Sequence, residues 1–334
     1  LKRNVTTDEK EIDEIARKAW NKVYKGNVYN QDKVVDKFMQ KYRDFIFKGP
    51  RQTVKDLDWE EVKATCQQDT DSAAGFDQWA KKDLKWISDQ AYKWLTIWMM
   101  SIEEQQAWPK SQTQARAVFL CKDNENAGDP MAYRILKITS TLYRVWASTR
   151  MRNLENWISS WADKAHFAGI PGVGAEDAWY TTQLEIELQR LIGSQVTAGS
   201  IDVFKCFDQI IRGLIIKLAD EAGMPSNILE TYKAFINDLT IRQQVGRSLG
   251  VEHTHPCSIP QGCPFSMSLI GLLMRPWIMV MRETGVEPRV LADDLFFHSV
   301  GRKHATTAVE AMKKSLQFFE DIGAKVAPKK CFIT

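Results

Sequence analysis

The chain has 334 residues, 44% of them apolar and 26% charged, with a formal net charge of +3; this composition excludes a disordered or fibrous polymer and allows a well-buried core with two or three subdomains. So small a charge excess neither demands nor excludes a nucleic-acid partner, because phosphate is held by a local basic surface and not by the chain total. The six cysteines are scattered without C-x-x-C pairs, which excludes a disulfide-stapled secreted framework and favours a reducing, intracellular setting.

In chain order, residues 7–62 are charged and helix-friendly, and Asp8-Glu9-Lys10-Glu11 behind Thr7 suits a helix start with Thr7 as the cap. Small residues at Ser72-Ala73-Ala74-Gly75-Phe76-Asp77 break this pattern, and a Trp-rich helical region follows over residues 79–106. Twelve tryptophans in the chain read as core filling between packed helices rather than as stacking surfaces for bases. Residues 115–121 and 133–136 read as paired strands across a turn-rich stretch from Asp123 to Pro130. Helical patterning returns over 141–161, and the basic residues Lys137, Arg144, Arg150 and Arg152 recur along this stretch. They are either a solvated face or a surface for a nucleic-acid strand, and the salt dependence of binding separates the two.

A glycine-bearing loop at 168–174 and a helix over 176–191 lead to a short strand ending at Asp202. Helices over 208–222 and 226–237 precede a hairpin over 240–255, turning at 246–250. A helix is expected after Pro264; the apolar run 267–281 is broken by Arg275 and Pro276, which argues for a buried helix and against a membrane span. The pattern Arg289-Val290-Leu291-Ala292-Asp293-Asp294-Leu295-Phe296-Phe297 predicts two strands joined by a tight turn with both carboxylates at its tip. The last helix, 305–322, places Val309, Met312, Leu316 and Phe319 on one predicted packing face. Because the chain begins with Leu and stops at Cys331-Phe332-Ile333-Thr334, a segment of a longer protein is expected.

Transfer of a nucleotidyl group needs divalent cations at the attacking and leaving oxygens, and those cations need carboxylates on a rigid scaffold. Asp202 at a strand end and Asp293 at the turn meet that need, and Mg²⁺ takes few protein carboxylates alongside substrate phosphates. An Asp-Asp turn by itself is usually a solvated hairpin tip. What separates this one is order: Asp202, then Pro260-Gln261-Gly262-Cys263-Pro264-Phe265-Ser266, then Ala292-Asp293-Asp294, then Gly323 with Lys329-Lys330. His253, His255, Cys257 and Cys263 form the one metal-like grouping, and their spacing does not match an ordinary zinc module.

Residues 73–334 resemble the reverse transcriptase domain of non-long-terminal-repeat retrotransposons and, less closely, that of group II introns. Asp202, Phe207 and Asp208 are similar to that family's D-x-x-x-x-F/Y-D block, Pro260 to Ser266 to its P-Q-G-x-P-x-S, Ala292-Asp293-Asp294 to its A-D-D, and Gly323 to Lys330 to its Gly-to-Lys block. Upstream, Ser72 to Asp77 resembles its A-x-G-x-D block, Lys122 with Tyr133-Arg134 its fingers K…Y-R block, and Phe167 to Asp177 its G-F-x-x-G block. Ile135 and Met267 stand where the family usually has Pro, and Gly169-Ile170-Pro171-Gly172 lacks its usual basic residue.

The resemblance implies an α+β right-hand polymerase: a helical N-terminal extension over 1–71, fingers over 72–200 and a palm over 201–334, with no thumb. It implies an RNA-directed DNA polymerase working on an RNA template, a DNA primer and dNTPs with two Mg²⁺ ions, Mn²⁺ being a possible substitute. Asp202 and Asp293 would hold the ions with Asp294 in support, Lys122 and Arg134 would grip the triphosphate, and Phe207 would exclude a ribose 2′-hydroxyl. Gln261 and Gly262 would approach the nucleotide, and Lys330 would assist departure of pyrophosphate. Two other readings stay open: an RNA-templated RNA polymerase, and a decayed retroelement segment that binds nucleic acid without catalysis.

Overall fold

The computed structural model describes residues 6–68, 72–122 and 124–334; the predicted boundary after residue 71 and Asp123 of the predicted turn lie outside the described residues. In chain order the elements are α1 (Glu9–Tyr24), α2 (Gln31–Lys41), α3 (Trp59–Gln67), α4 (Lys81–Leu84), α5 (Asp89–Gln105), β1 (Gln114–Cys121), β2 (Tyr133–Ile138), α6 (Thr141–Asn153) and α7 (Glu155–Trp161). They continue with α8 (Ala175–Leu191), β3 (Val196–Asp202), α9 (Cys206–Gln209), α10 (Arg212–Glu221), α11 (Ser226–Asp238), β4 (Thr240–Val245) and β5 (Ser248–Leu249). Last come α12 (Ser266–Thr284), β6 (Glu287–Leu291), β7 (Asp294–Val300), α13 (His304–Asp321) and β8 (Phe332–Ile333).

Three local expectations are corrected. Asp8, not Thr7, caps α1, because its carboxylate accepts the backbone N–H of both Lys10 and Glu11 at 2.9 Å, satisfying two donors that a helix start leaves open. The expected single helix over 141–161 is two, parted at the fully buried Leu154, whose N–H folds back onto the carbonyls of Arg150 and Met151. On α13 the packed face is Ala308, Ala311, Ser315, Phe318 and Phe319, so Phe319 is buried as expected, whereas Met312 is half-buried and Val309 and Leu316 are exposed. Small residues let the helix backbone approach its neighbours closely, so Ala308, Ala311 and Ser315 join the two phenylalanines in the packed stripe in place of Val309 and Leu316.

The described residues form two compact units interleaved along the chain: residues up to 25 with 53–154 and 225–265, and residues 26–52 with 155–224 and 266–334. The first holds a sheet in the order β2-β1-β4-β5, with β1 antiparallel to β2 and parallel to β4. Its aromatic core centres on Trp108, which meets Tyr143, Trp146 and Phe235 edge-on and donates its indole N–H to the Thr231 carbonyl at 3.0 Å. Beside it Arg150 and Glu103 form a buried ion pair.

The second unit holds a sheet in the order β6-β7-β3-β8, packed by α12 and α13. α12 buries most of its length and carries Pro276 inside it. Among the described residues no helix is long and apolar enough to cross a membrane. In β3 burial alternates strictly, with Thr197, Gly199 and Ile201 buried, as one packed sheet face requires. Gly199 sits opposite Phe297 in β7, and a Cβ there would lie 2.3 Å from the Phe297 ring. Gly199→Ala is therefore expected to destabilise the fold by about 1–3 kcal/mol through overpacking, checked by urea unfolding; an unchanged midpoint would refute this packing.

Candidate active site

The end of β3 and the β6–β7 turn are brought together by strand register. Asp202 lies directly opposite Asp294 across the antiparallel β3–β7 pair, and opposing residues in such a pair present their side chains to the same face. Asp293 occupies the turn, preceded by Ala292 at φ 58°. A residue with a Cβ pays about 1–2 kcal/mol for that left-handed conformation, and here it tightens the reversal between Leu291 and Asp294, themselves a paired couple.

On the other edge of β3 the C-terminal segment completes the cluster. Ser200 pairs with Phe332, and the Ala327 N–H donates to the Asp202 carbonyl at 2.8 Å. The short 3-10 turn Pro328–Lys330 then carries the Lys330 Nζ to 2.9 Å from Asp202 Oδ2. This bond, with the charge of Asp202 and more weakly those of Asp294 and Asp293, raises the Lys330 pKa and keeps its ammonium protonated at neutral pH.

Cys206 opens α9 and is buried. Burial first, then the charges of Asp293, Asp208 and Asp202, push its thiol far up, which marks those three carboxylates as neighbours of one sulfur. Phe207 follows, half-buried, after Lys205 at φ 46°. Gln209 ties this turn to the segment ahead of Lys330: its amide donates to the carbonyls of Phe204 and Lys325 and accepts the Lys325 N–H at 3.0 Å. Asn27 adds a bond to Gln209 at 2.7 Å and another to the Gly323 carbonyl at 2.7 Å. One buried amide thus ties the turn after β3 to the segment ahead of Lys330.

Asp202, Asp293 and Asp294 supply hard oxygen donors from two adjacent strands and a turn, a set that fits a divalent cation drawing its remaining ligands from phosphate. Among the described residues no group of three or more His, Cys, Asp or Glu closes into a metal cage.

The other expected contact residues belong to the first unit. Lys122 continues β1 and its N–H donates to the Ala132 carbonyl at 2.9 Å. Leu120 pairs with Arg134, so Lys122, two residues on, shares a face of the ribbon with Arg134, and both side chains are exposed. Two cations on one exposed face can meet a polyanion together. Gln261 and Gly262 form a turn closed by the Cys263 N–H on the Pro260 carbonyl at 3.1 Å, and Gly262 has φ 94°, which favours glycine there. His255 stacks on Tyr24 with ring centroids 3.5 Å apart, and Cys263 meets the Tyr143 hydroxyl at 3.0 Å.

Sequence reasoning passed over Cys206 and Gln209 and gave Asp208 no role. The signal available was their nearness to Asp202 in sequence; their burial was not legible. It also grouped Lys137 and Arg150 with the outward basic residues. Lys137 is instead buried on the Ser258 hydroxyl and over the Tyr24 ring, and Arg150 is buried on Glu103. A family model described as reverse transcriptase (RNA-dependent DNA polymerase) matches residues 122–334.

Proposed function

The chain belongs to the reverse transcriptase family, and from that premise we propose that it extends a DNA primer on an RNA template by nucleotidyl transfer, with Asp202, Asp293 and Asp294 at the reacting centre. The observation that carries the reading is the register that sets Asp202 opposite Asp294 beside the Asp293 turn, with Lys330 bonded to Asp202. The sequence blocks around these residues favour the non-long-terminal-repeat retrotransposon type, related to group II intron enzymes. In that reading residues 72–200 are fingers, 201–334 the palm and 1–71 a helical extension.

Asp202 and Asp293 would hold two Mg²⁺ ions, with Asp294 in support. Bound divalent ions supply charge stabilisation at the attacking and leaving oxygens. The protein's own groups do the rest. Lys122 and Arg134 bind the triphosphate, Gln261 and the Gly262 backbone approach the nucleotide, and Lys330, held protonated by its carboxylate partner, offers a proton and charge to the departing pyrophosphate.

Phe207 assigns the sugar. Phe207 is half-buried and follows Cys206; in this reading its ring would meet a ribose 2′-hydroxyl, so the enzyme would prefer dNTPs. The test is primer extension on an RNA template with Mg²⁺, scoring dNTP against NTP incorporation. Extension with dNTPs is expected, and Phe207→Ala is expected to reduce the preference about 10- to 100-fold. NTP incorporation by the natural protein would point to an RNA polymerase, and no extension with either would refute the catalytic reading.

A further inference from the structure

Residues 26–52 share a compact unit with the strands that carry Asp202 and Asp294, although the reaction described above gives them no part. Asn27 reaches the site from this segment. Its amide donates to the Gln209 side-chain carbonyl and to the Gly323 backbone carbonyl, both at 2.7 Å, so one side chain spans the turn after β3 and the end of α13. The segment that carries Asn27 is itself anchored. Phe38 on α2 meets Phe318 edge-on, the Tyr42 hydroxyl donates to Asp321 at 2.7 Å, and a Cβ at Gly323 would lie 2.8 Å from Val28.

Gln209 is 1% exposed, and its amide uses both donors and both lone pairs. The two N–H groups go to the carbonyls of Phe204 and Lys325, and the oxygen accepts the N–H of Lys325 and of Asn27. A buried amide satisfied on every side fixes its surroundings, because moving a neighbour strands a polar group out of reach of water. Two segments are held at once. The bond to Phe204 closes residues 204–209 into a ring that contains Phe207, and the bonds to Lys325 set the segment from which Lys330 reaches Asp202. Between these segments the backbone adds an isolated bridge, Val203 with Val326, and the Phe204 N–H on the Lys325 carbonyl at 2.9 Å. Pairing that short is marginal alone.

We propose that Asn27 and Gln209 are positioning residues for the reaction: through them the N-terminal segment sets the Phe207 turn and the Lys330 segment about Asp202. The proposal rests on the polymerase reading for the reaction it serves. A positioning role predicts its own pattern of loss. Displacing Phe207 relaxes the choice of sugar and displacing Lys330 slows the chemical step, whereas general destabilisation scales every rate alike.

The test is single-nucleotide extension of a DNA primer on an RNA template by the full chain, with dNTP and with NTP, each titrated to separate kcat from KM. Gln209→Leu keeps most of the bulk and removes all four bonds; kcat with dNTP should fall about 10- to 100-fold, the effect of displacing reacting groups by about 1 Å. Asn27→Ala, at an exposed position, should lower it about 2- to 10-fold, the worth of its one bond to Gln209. In both, the preference for dNTP over NTP should shrink while KM for the primer-template stays as in the natural protein. Circular dichroism melting establishes that each variant is folded, and Asn27→Ala decides if Gln209→Leu is not. A folded Asn27→Ala with the natural kcat and the natural sugar preference would overturn the proposal. So would equal losses with dNTP and NTP, the mark of a merely structural role. A natural protein that extends with neither nucleotide would overturn the polymerase reading and this role together, so the natural protein's own activity tells the two failures apart.

Discussion

Asp202→Asn and Asp293→Asn are each expected to lower primer extension at least about a thousandfold while leaving the fold in place. Asparagine keeps the size of the side chain and loses its charge, so the change isolates the electrostatic role. Loss of charge stabilisation at a single preorganised group already costs about 10²–10³ in rate, and a carboxylate that holds a divalent cation carries more of the reaction. Asp202 is half-buried, 28% exposed in its side chain, and its partner in the fold is the flexible, exposed Lys330, so little stability depends on its charge. Asp202→Asn should also return the Lys330 pKa toward its ordinary value, since Asp202 is the main cause of its rise. Full activity in either variant, measured with RNA template, DNA primer and Mg²⁺, would place the chemistry elsewhere.

Arg150→Met is expected to destabilise the first unit by about 3–5 kcal/mol, because it strands a buried carboxylate. The Arg150 side chain is fully buried, and its guanidinium donates to Glu103 at 2.6 and 2.5 Å and to the Lys55 carbonyl at 2.8 Å. Glu103 in turn accepts the Trp146 indole N–H at 2.7 Å and the Asn227 amide at 3.2 Å, so one ion pair joins α5, α6 and α11. The double change Arg150→Met with Glu103→Leu removes the orphaned charge and should cost clearly less than the sum of the single changes. Urea unfolding followed by tryptophan fluorescence reads both, and a single-variant loss below about 1 kcal/mol would show that the pair does not hold these helices together.

The strands that carry the site are legible in the sequence itself. Apolar residues on both sides of Asp293-Asp294 predict a hairpin, and the structure places β6 and β7 there; the paired strands before and after Asp123 also follow from their patterning. Period-two alternation and turn residues act over a few neighbours, which is why sequence resolves them. The α13 stripe was legible at Phe319 but not at Val309 or Leu316, since burial there depends on how closely the helix approaches its neighbours.

By itself, then, the sequence determined which carboxylates stand in order along the chain, and that Asp202 ends a strand and Asp293 begins a reversal. Only the tertiary structure decided that Asp202 faces Asp294, that Lys330 reaches back across more than a hundred residues to Asp202, and that Gln209 clamps the two segments together. It also decided that Arg150 is a core ion pair while Arg152, two positions on, is only half-buried. A helix turns about 100° per residue, so arginines two positions apart that look alike in sequence face different surroundings. Register and burial belong to the packing of distant segments, and no local pattern encodes them.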